Sequence, residues 1–355
     1  MRNPSGLLLG ALAALLLLVA ARAADRETLN VLSSLRESLA LHASDGLQSA
    51  AVQAMQAPAG APPGRPAAPP PAPVLAYITP WNGAGYDLAK RHRCRLHYMS
   101  PVWFQLQAVH GELELTGGHD VDVAWMAAVR APCPGGSGGS GTESGDDAHA
   151  ARVLPRVIFE VGGADLGAVL SRPEVVASLL ASAAQEHGFD GWVVEVWSGW
   201  ASMGVSQHPQ AREAALQLLR QLAAELQGAG RALVLAVSPL LPAPGRPVQL
   251  TAGDAADLLG FADALSVMTY AHATQQAGPN APLPWVAQNA DAFAAVADRL
   301  SGGSARAKVL LGIPFYGYEY RFQGRQLRLA VAAQRGMGVS VWELGQGLEE
   351  MAALL

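Results

Sequence analysis

The sequence predicts an α/β fold, a (β/α)8 (TIM) barrel preceded by an N-terminal signal peptide and a proline-rich linker. Apolar runs rich in valine, isoleucine and aromatic residues recur along the chain, helix-like stretches separate them, and 355 residues suffice for one large domain. Continuous apolar strands that alternate with helices indicate parallel strands covered on both faces. Eight such units close a barrel whose functional site lies at the C-terminal strand ends.

The first 23 residues are predicted to be a signal peptide. The apolar stretch Leu7–Ala20 follows Arg2 and leads into the small-x-small pattern Ala21-Arg22-Ala23. It is short for a membrane-spanning helix and has the exit typical of a cleavage site. An uncleaved anchor is the alternative. We therefore expect a mature protein of the secretory pathway with no membrane span.

Two further segments precede the barrel, which is predicted over 74–355. Residues 24–56 carry leucines at helical spacing and indicate an amphipathic helical segment. Residues 57–73 are a Pro/Ala-rich linker of extended conformation. Within the barrel, the Gly/Ser-rich stretch 133–147 is typical of a flexible insert.

The barrel elements follow in order along the chain. Helical patterns cover 171–187, with Pro173 near the start, and 209–229, with leucines at helical spacing. A doubly wound open sheet is the alternative, but no glycine-rich phosphate fingerprint follows the first strand. The predicted strands are 74–81, 97–105, 152–160, 191–197, 232–239, 264–270, 308–316 and 338–344.

Charge and cysteine content narrow the classes of protein. The net charge is −5, and lysines and arginines are scattered without a basic stripe, which argues against a nucleic-acid partner. The only two cysteines, Cys94 and Cys133, are too few for a disulfide framework. Their spacing leaves open whether they form a bridge or stay separate thiols.

A small cluster of potential metal ligands lies at His119, Asp120 and Asp122. The alternative to a metal site is helix capping, with Asp120 as the cap of the following helix and Asp122 in its first turn. No second pair of ligands at a known spacing accompanies the cluster. We therefore predict no metal and no cofactor.

Aromatic residues concentrate near the predicted C-terminal strand ends. Core packing explains any one of them, but several converging on one barrel mouth favour a sugar pocket, since aromatic faces stack on pyranose rings. These residues are Trp81, Trp103, Trp197, Tyr270 and Trp342.

Seven motifs give the chain a specific resemblance. In order they are VLAYITPWNGAGYDLAK, YMSPVWFQ, FDGWVVEVW, SVMTY, QAGPNAPLPWV, LLGIPFYG and GVSVWELGQG. Together they resemble glycoside hydrolase family 18, and within it the chitinase-domain-containing group, over nearly all of 74–355. The resemblance implies that Trp342 is the floor of a sugar site and that Tyr270 contacts an N-acetyl group.

The family's acidic signature, Asp-Gly-x-Asp-x-Asp-x-Glu, falls on 190–197. In the family the terminal glutamic acid protonates the leaving oxygen while the substrate's N-acetyl oxygen attacks the anomeric carbon. Trp197 stands in place of that glutamic acid, and Val193 in place of an aspartate. Ala271, next to Tyr270, replaces a further aspartate. The resemblance therefore implies that no catalytic residue is present.

Glu195 is the one acid left near the signature's end. Strand alternation places 193, 195 and 197 on the barrel's inner side, with Glu195 about 6.6 Å deeper than residue 197. We expect Glu195 to be a buried carboxylate bonded to a serine, tyrosine or arginine of a neighbouring strand; a sugar-hydroxyl acceptor is the alternative. Asp190 is expected to be a structural turn or interstrand acceptor.

The combined prediction is a non-catalytic, chitinase-like carbohydrate-binding protein, secreted or lysosomal. The resemblance implies N-acetylglucosamine oligosaccharides and lipopolysaccharide as ligands, a stabilin-type scavenger receptor as partner, and a role in innate immunity. A short connection after the seventh strand predicts a shallow groove. The alternatives are a glycoside hydrolase using Glu195 or Glu160 in altered geometry, and a sugar-independent partner-binding barrel. The predicted sugar-binding residues are Trp81, Trp103, Glu160, Glu195, Trp197, Tyr270 and Trp342.

Overall fold

A computed structural model describes most of the predicted barrel. Among the residues it describes, no helix is long and apolar enough to cross a membrane. The predicted signal peptide, the segment 24–56, the linker except Pro73, and the Gly/Ser insert except Cys133 lie outside the described residues and stay predictions. The described residues are 73–109, 112–133, 150–273, 278–301, 304–316, 332 and 334–342.

Strands and helices alternate along the described chain. The strands are β1 (Val74–Ile78), β2 (Tyr98–Pro101), β3 (Phe104–Val109), β4 (Glu112–Thr116), β5 (Arg152–Val153), β6 (Arg156–Glu160), β7 (Gly191–Glu195), β8 (Ala232–Val237), β9 (Ala264–Val267), β10 (Val309–Pro314) and β11 (Gly338–Trp342). The helices are α1 (Gly83–Arg91), α2 (Val123–Val129), α3 (Gly163–Leu170), α4 (Pro173–Glu186), α5 (Trp197–Ser202), α6 (Pro209–Gly228), α7 (Ala252–Leu259) and α8 (Leu283–Ser301).

The strands form one curled sheet with the order β4-β3-β6-β7-β8-β9-β10-β11-β1-β2-β5. Only two residues separate β2 from β3, and only Leu154 and Pro155 separate β5 from β6. Since β2 pairs with β5 and β3 with β6, both in parallel, β2 and β3 together form one interrupted barrel strand, and β5 and β6 form the next. Pro155 lacks an N–H group and cannot donate to a ladder at that break. The sheet thus closes into eight parallel positions, which confirms the predicted barrel; β4 adds an antiparallel hairpin to β3.

Side chains alternate between two cores, as a pleated strand requires. Helix-facing residues such as Leu233 and Leu235 of β8 belong to the larger core, together with the buried faces of the helices. Leu75, Val193 and Val234 belong to a smaller core inside the barrel, against which Trp342 packs. Barrel strands buried on both faces explain the continuous apolar runs of the sequence.

The helices predicted over 171–187 and 209–229 are confirmed. Proline occupies the first turn of α4 at Pro173 and of α6 at Pro209, where its missing N–H would have no intrahelical partner. The leucines of α6 are buried. Helix α7 begins with a capping box between Thr251 and Asp254.

The predicted cap of α2 is wrong by two residues. The side chain of Asp122, rather than that of Asp120, accepts the Trp125 N–H at 2.8 Å. Asp120 ends a short 3-10 turn, and the extended Val121 separates that turn from the helix, so Asp122 takes the N-cap position. Among the described residues, no three potential metal ligands lie together.

The two cysteines form a disulfide, which resolves the alternative left open by the sequence. The Cα atoms of Cys94 and Cys133 lie 5.7 Å apart. The bond ties the turn after α1 to the segment after α2. Arg93 reinforces the same junction, because its guanidinium donates to the Ala131 and Pro132 carbonyl oxygens at 3.0 Å each.

The entry to β7 is held by Asp190 and Gly191. The Asp190 carboxylate accepts the Val153 N–H at 2.8 Å and a 2.6 Å bond from Arg130, so its predicted role as an interstrand acceptor is confirmed. Gly191 has φ +146°, and a Cβ atom there would lie 2.0 Å from the Ala232 carbonyl oxygen. Only glycine fits this close approach.

Candidate functional site

An ion pair between neighbouring strands lies inside the barrel. Arg156 of β6 donates from Nε to Oε2 of Glu195, the last residue of β7, at 2.7 Å. The side chains are 12% and 25% exposed, respectively, so both charges are largely removed from water. Removing one partner of such a pair leaves the other charge unpaired, which costs stability. The prediction that Glu195 bonds to a neighbouring strand is confirmed, with arginine as the partner.

Two tyrosines lie near this pair. The Tyr77 hydroxyl donates to Oγ of Ser266 at 3.0 Å. Burial raises the pKa of Tyr77, and the Glu195 carboxylate raises it further. Burial also raises the pKa of Tyr270 well above its ordinary value, with smaller contributions from Tyr77 and Glu195. Both phenols therefore stay protonated at neutral pH and are able to donate hydrogen bonds.

Trp342 borders the ion pair at the end of β11. Its ring meets Tyr77 edge-on, with 5.1 Å between the ring centroids. The Arg156 guanidinium carbon lies 6.0 Å from the Trp342 ring centroid, at the limit of a cation–π contact. Trp342 is half-buried, so part of the indole remains accessible. An accessible indole beside polar groups suits a pyranose ring, whose C–H face is apolar and whose hydroxyls are polar.

A glycine makes room for Tyr270. A Cβ atom on Gly312 of β10 would lie 2.7 Å from a Tyr270 ring carbon and 2.4 Å from the Val267 carbonyl oxygen. Thr269 holds the same backbone by donating to the Gly312 carbonyl oxygen at 2.8 Å. Gly312 therefore lets the Tyr270 ring lie directly against the backbone of β10.

A cleft of about 170 Å³ opens beside Tyr270, at the C-terminal ends of β8 and β9. Ala271, on its edge, has φ +57°, a left-handed conformation that disfavours an alanine side chain. The Ala271 N–H donates to Oδ1 of Asn280 at 2.6 Å, which holds the backbone in place. The lining residues are Ser198, Ser238, Pro239, Pro242, Ala243, Arg246, Pro247, Gln249, Met268, Tyr270, Ala271 and Trp285.

The polar side of the cleft is a connected network. The Ser198 and Ser238 hydroxyls lie 2.7 Å apart, and Ser238 donates to Oε1 of Gln249 at 2.7 Å. Gln249 in turn donates from Nε2 to the Ser202 hydroxyl at 2.7 Å. Because these groups satisfy one another, this side is pre-formed.

The seven predicted sugar-binding residues do not all meet. Glu195, Tyr270 and Trp342 belong to the group inside the barrel mouth. Glu160 is exposed at the end of β6, where it accepts from Gln107 at 2.9 Å. Trp81 follows β1 and is 71% exposed. These two residues stand at the outer rim.

Trp103 and Trp197 were expected at the barrel mouth, and that placement is wrong. Trp103 is fully buried in the helix-facing core and donates from Nε1 to the Tyr86 hydroxyl at 2.7 Å. Trp197 is 3% exposed in the same core. Strand β7 ends at Glu195, and Val196 (φ −144°, ψ −38°) leads directly into α5, so the strand alternation does not reach Trp197.

Sequence reasoning missed four groups that the structure brings to the site: Arg156, Tyr77, Ser266 and the network around Gln249. Arg156 carried one usable signal, because it is a charged residue in the middle of a run predicted to be a barrel strand, away from the charged residues at its two ends. The pairing of Arg156 with Glu195 connects residues 39 positions apart and depends on strand neighbours.

Comparison with known proteins identifies the family and the fold. The model of "Glycosyl hydrolases family 18" matches residues 147–346, more than half of the chain. Among solved structures, a class V chitinase from Pseudomonas fluorescens Pf-5 is 16% identical, with a TM-score of 0.60, 80% of this chain covered and 98% of that chain. A chitinase from Chromobacterium violaceum ATCC 12472 is 18% identical, with a TM-score of 0.59 and the same coverage.

A third similar structure has a different described activity. The spore cortex-lytic enzyme SleL of Bacillus cereus is 13% identical, with a TM-score of 0.58, 80% of this chain covered and 73% of that chain. At these identities the likeness shows a shared barrel fold. The family match and the fold lead to one conclusion: the chain belongs to glycosyl hydrolases family 18.

Proposed function

We propose that this protein is a non-catalytic, chitinase-like carbohydrate-binding protein that binds N-acetylglucosamine oligosaccharides at the barrel mouth. The sugar ring lies on the accessible indole of Trp342. The Tyr270 hydroxyl and the Arg156–Glu195 pair provide hydrogen bonds to its polar groups. Family membership supports an amino-sugar ligand.

One observation carries the non-catalytic part of the proposal. The strand of the family's acidic signature ends at Glu195, and the next inward position is lost because Trp197 turns into the helix-facing core. A general acid must reach the oxygen that it protonates. Trp197 is placed away from the barrel interior, and its indole N–H is a weak donor without an acidic proton.

The remaining inner acid is already bonded to a cation. Arg156 donates from Nε to Oε2 of Glu195 at 2.7 Å. A carboxylate held in this way accepts hydrogen bonds from sugar hydroxyls. Binding without hydrolysis therefore fits this pair better than turnover.

A glycoside hydrolase that uses Glu195 or Glu160 is the second candidate. Glu160 favours it in one respect, since it is an exposed carboxylate at the C-terminal end of β6. Gln107 donates to it at 2.9 Å, so this acid also has a neutral hydrogen-bond partner. Fluorogenic glycosides distinguish the two candidates, as described in the Discussion.

The finer biological assignments remain part of the proposal. Lipopolysaccharide as a ligand, a stabilin-type scavenger receptor as a partner and a role in innate immunity follow from the resemblance alone. Secretion or delivery to lysosomes follows from the predicted signal peptide together with the resemblance. A sugar-independent, partner-binding barrel is the remaining alternative, and it predicts no saturable binding of any glycan.

Isothermal titration with chitotetraose tests the proposal. We expect saturable heat for the wild type and at least a tenfold loss of affinity for Trp342→Ala, since stacking on an aromatic ring contributes about 1 kcal/mol or more beyond the area it buries. Trp103→Phe is the matched control: it alters a tryptophan of the helix-facing core and should retain the affinity. No binding at millimolar ligand, or equal binding by Trp342→Ala, would contradict the proposal.

A further inference from the structure

We propose that the cleft beside Tyr270 binds an apolar aglycone, a short alkyl or aryl group attached to an amino-sugar glycoside. The inference rests on the proposed function, because the sugar part has to lie on Trp342. The proposed function concerns oligosaccharides. The cleft adds a second class of ligand, glycosides with an apolar substituent, and these should bind more tightly than oligosaccharides without one.

The lining chemistry is the first argument. One wall of the cleft consists of proline, alanine, methionine and tryptophan side chains, which offer few hydrogen bonds to sugar hydroxyls. They are Pro239, Pro242, Ala243, Met268 and Trp285. The rest of the lining includes Arg246 and the serine–glutamine network, whose members already bond to one another. Such a cleft gains most from an apolar group that displaces water.

Continuity with the sugar site is the second argument. Tyr270 lines the cleft, and its ring also lies against Gly312 of β10, which pairs with Ser340 of β11, two residues before Trp342. A ligand that places its ring at Trp342 and its hydroxyls near Tyr270 therefore has one end directed past Tyr270. The cleft is the space that this end enters.

The cleft has the size and rigidity of a small-group site. A dry cavity of roughly 150 Å³ holds a benzene-sized molecule, so about 170 Å³ accommodates a butyl or phenyl group. The apolar wall is fixed from behind, because the Trp285 Nε1–H donates to the Leu241 carbonyl oxygen at 2.7 Å. Asn289 bonds to both the N–H and the carbonyl oxygen of Leu241. A pre-formed wall avoids the entropic cost of ordering on binding.

The test compares methyl and butyl β-glycosides of N,N′-diacetylchitobiose by isothermal titration. Each buried methylene strengthens binding roughly three- to fourfold, so we expect the butyl glycoside to bind at least tenfold more tightly to the wild type. Ala243→Leu fills the cleft from its buried wall and should abolish that difference while the methyl glycoside still binds. Pro247→Phe covers the cleft from its exposed edge and is the second blocking variant, to be used if Ala243→Leu does not fold.

Two controls separate the possible failures. Ala224→Leu makes the same chemical change on the exposed face of α6 and should keep the butyl advantage. Trp342→Ala should weaken both ligands. Equal binding of methyl and butyl glycosides to the wild type overturns the inference and leaves the proposed function standing. A butyl advantage that survives both cleft variants overturns the inference as well. No binding of either glycoside overturns both.

Discussion

Arg156 and Glu195 form a 2.7 Å ion pair across adjacent barrel strands, and Glu195 is the last residue of β7, the strand that carries the family's acidic signature. The pair keeps the one inner acid of the signature strand in contact with a cation. It also lies beside the Trp342 indole that we assign to sugar binding. Its energetics therefore bear on both the stability of the barrel and the chemistry of the site.

The first prediction concerns this pair. Arg156→Met should reduce the free energy of unfolding by about 2 kcal/mol, because it leaves a partly buried carboxylate unpaired; the remaining solvent exposure keeps the cost below that of a fully buried pair. Glu195→Gln in the same chain should recover part of the loss. Urea denaturation of the two single variants and the double variant measures the coupling. Strict additivity of the two changes would show that the ion pair contributes nothing.

Gly312→Ala should displace Tyr270. The new methyl group would overlap a Tyr270 ring carbon and the Val267 carbonyl oxygen, so we expect a loss of about 1–3 kcal/mol in stability. Affinity for chitotetraose should fall about tenfold. Gly167→Ala is the control, since nothing lies within 4 Å of a Cβ atom there and helix α3 should tolerate it. Unchanged affinity in a folded Gly312→Ala variant would exclude Tyr270 from the site.

Breaking the disulfide should weaken the barrel without unfolding it completely. Cys94 and Cys133 are separated by 39 positions, and a closed loop of that length contributes about 4 kcal/mol in the chain-entropy description. We expect the Cys94→Ser/Cys133→Ser variant to lose about 2–4 kcal/mol in urea denaturation. Reductant should destabilise the wild type similarly and leave the double variant unchanged. An unaffected wild type would contradict the bond.

His272 should make stability depend on pH. Burial lowers its pKa below 6.5, and its ring packs edge-on against Trp285 at 4.9 Å. As the pH falls below 6.5, the unfolded chain takes up a proton at this position before the folded chain does. Stability is therefore lost from pH 6.5 down to the lowered folded pKa, and this group causes no further loss below it.

The matched variant for this prediction is His272→Phe, which keeps an aromatic ring and removes the titration. Melting temperatures at pH 7 and pH 5 should differ less in the variant than in the wild type. The comparison cancels the carboxylates that titrate in both proteins. Equal drops in the two proteins would show that His272 does not contribute.

The barrel was predictable because its strands are buried on both faces and read as apolar runs. The end of β7 was not predictable, since a tryptophan is apolar whether it faces the interior or the helices. The backbone turn at Val196 directs Trp197 into the helix-facing core. The spacing of apolar residues in the sequence does not predict such a turn. Similarly, Asp120 and Asp122 are equally good caps by residue type, and only the turn before α2 selects Asp122.

Only some of the candidate site residues at the barrel mouth could be predicted from the sequence. Family motifs pointed to Tyr270 and Trp342, because those residues stand in recognisable strings. Arg156 and Tyr77 became visible only when the sheet order brought their strands beside β7 and β11. The disulfide was undetermined for the same reason, because sequence separation does not give the distance between two Cα atoms.

Turnover of a fluorogenic chitobioside, measured beside chitotetraose binding on the same preparation, tests the central claim most directly. The account predicts saturable binding that depends on Trp342 and no release of fluorophore above the uncatalysed rate. Hydrolysis by the wild type that disappears in Glu195→Gln or Glu160→Gln, with folding retained, would contradict it and identify the chain as an enzyme.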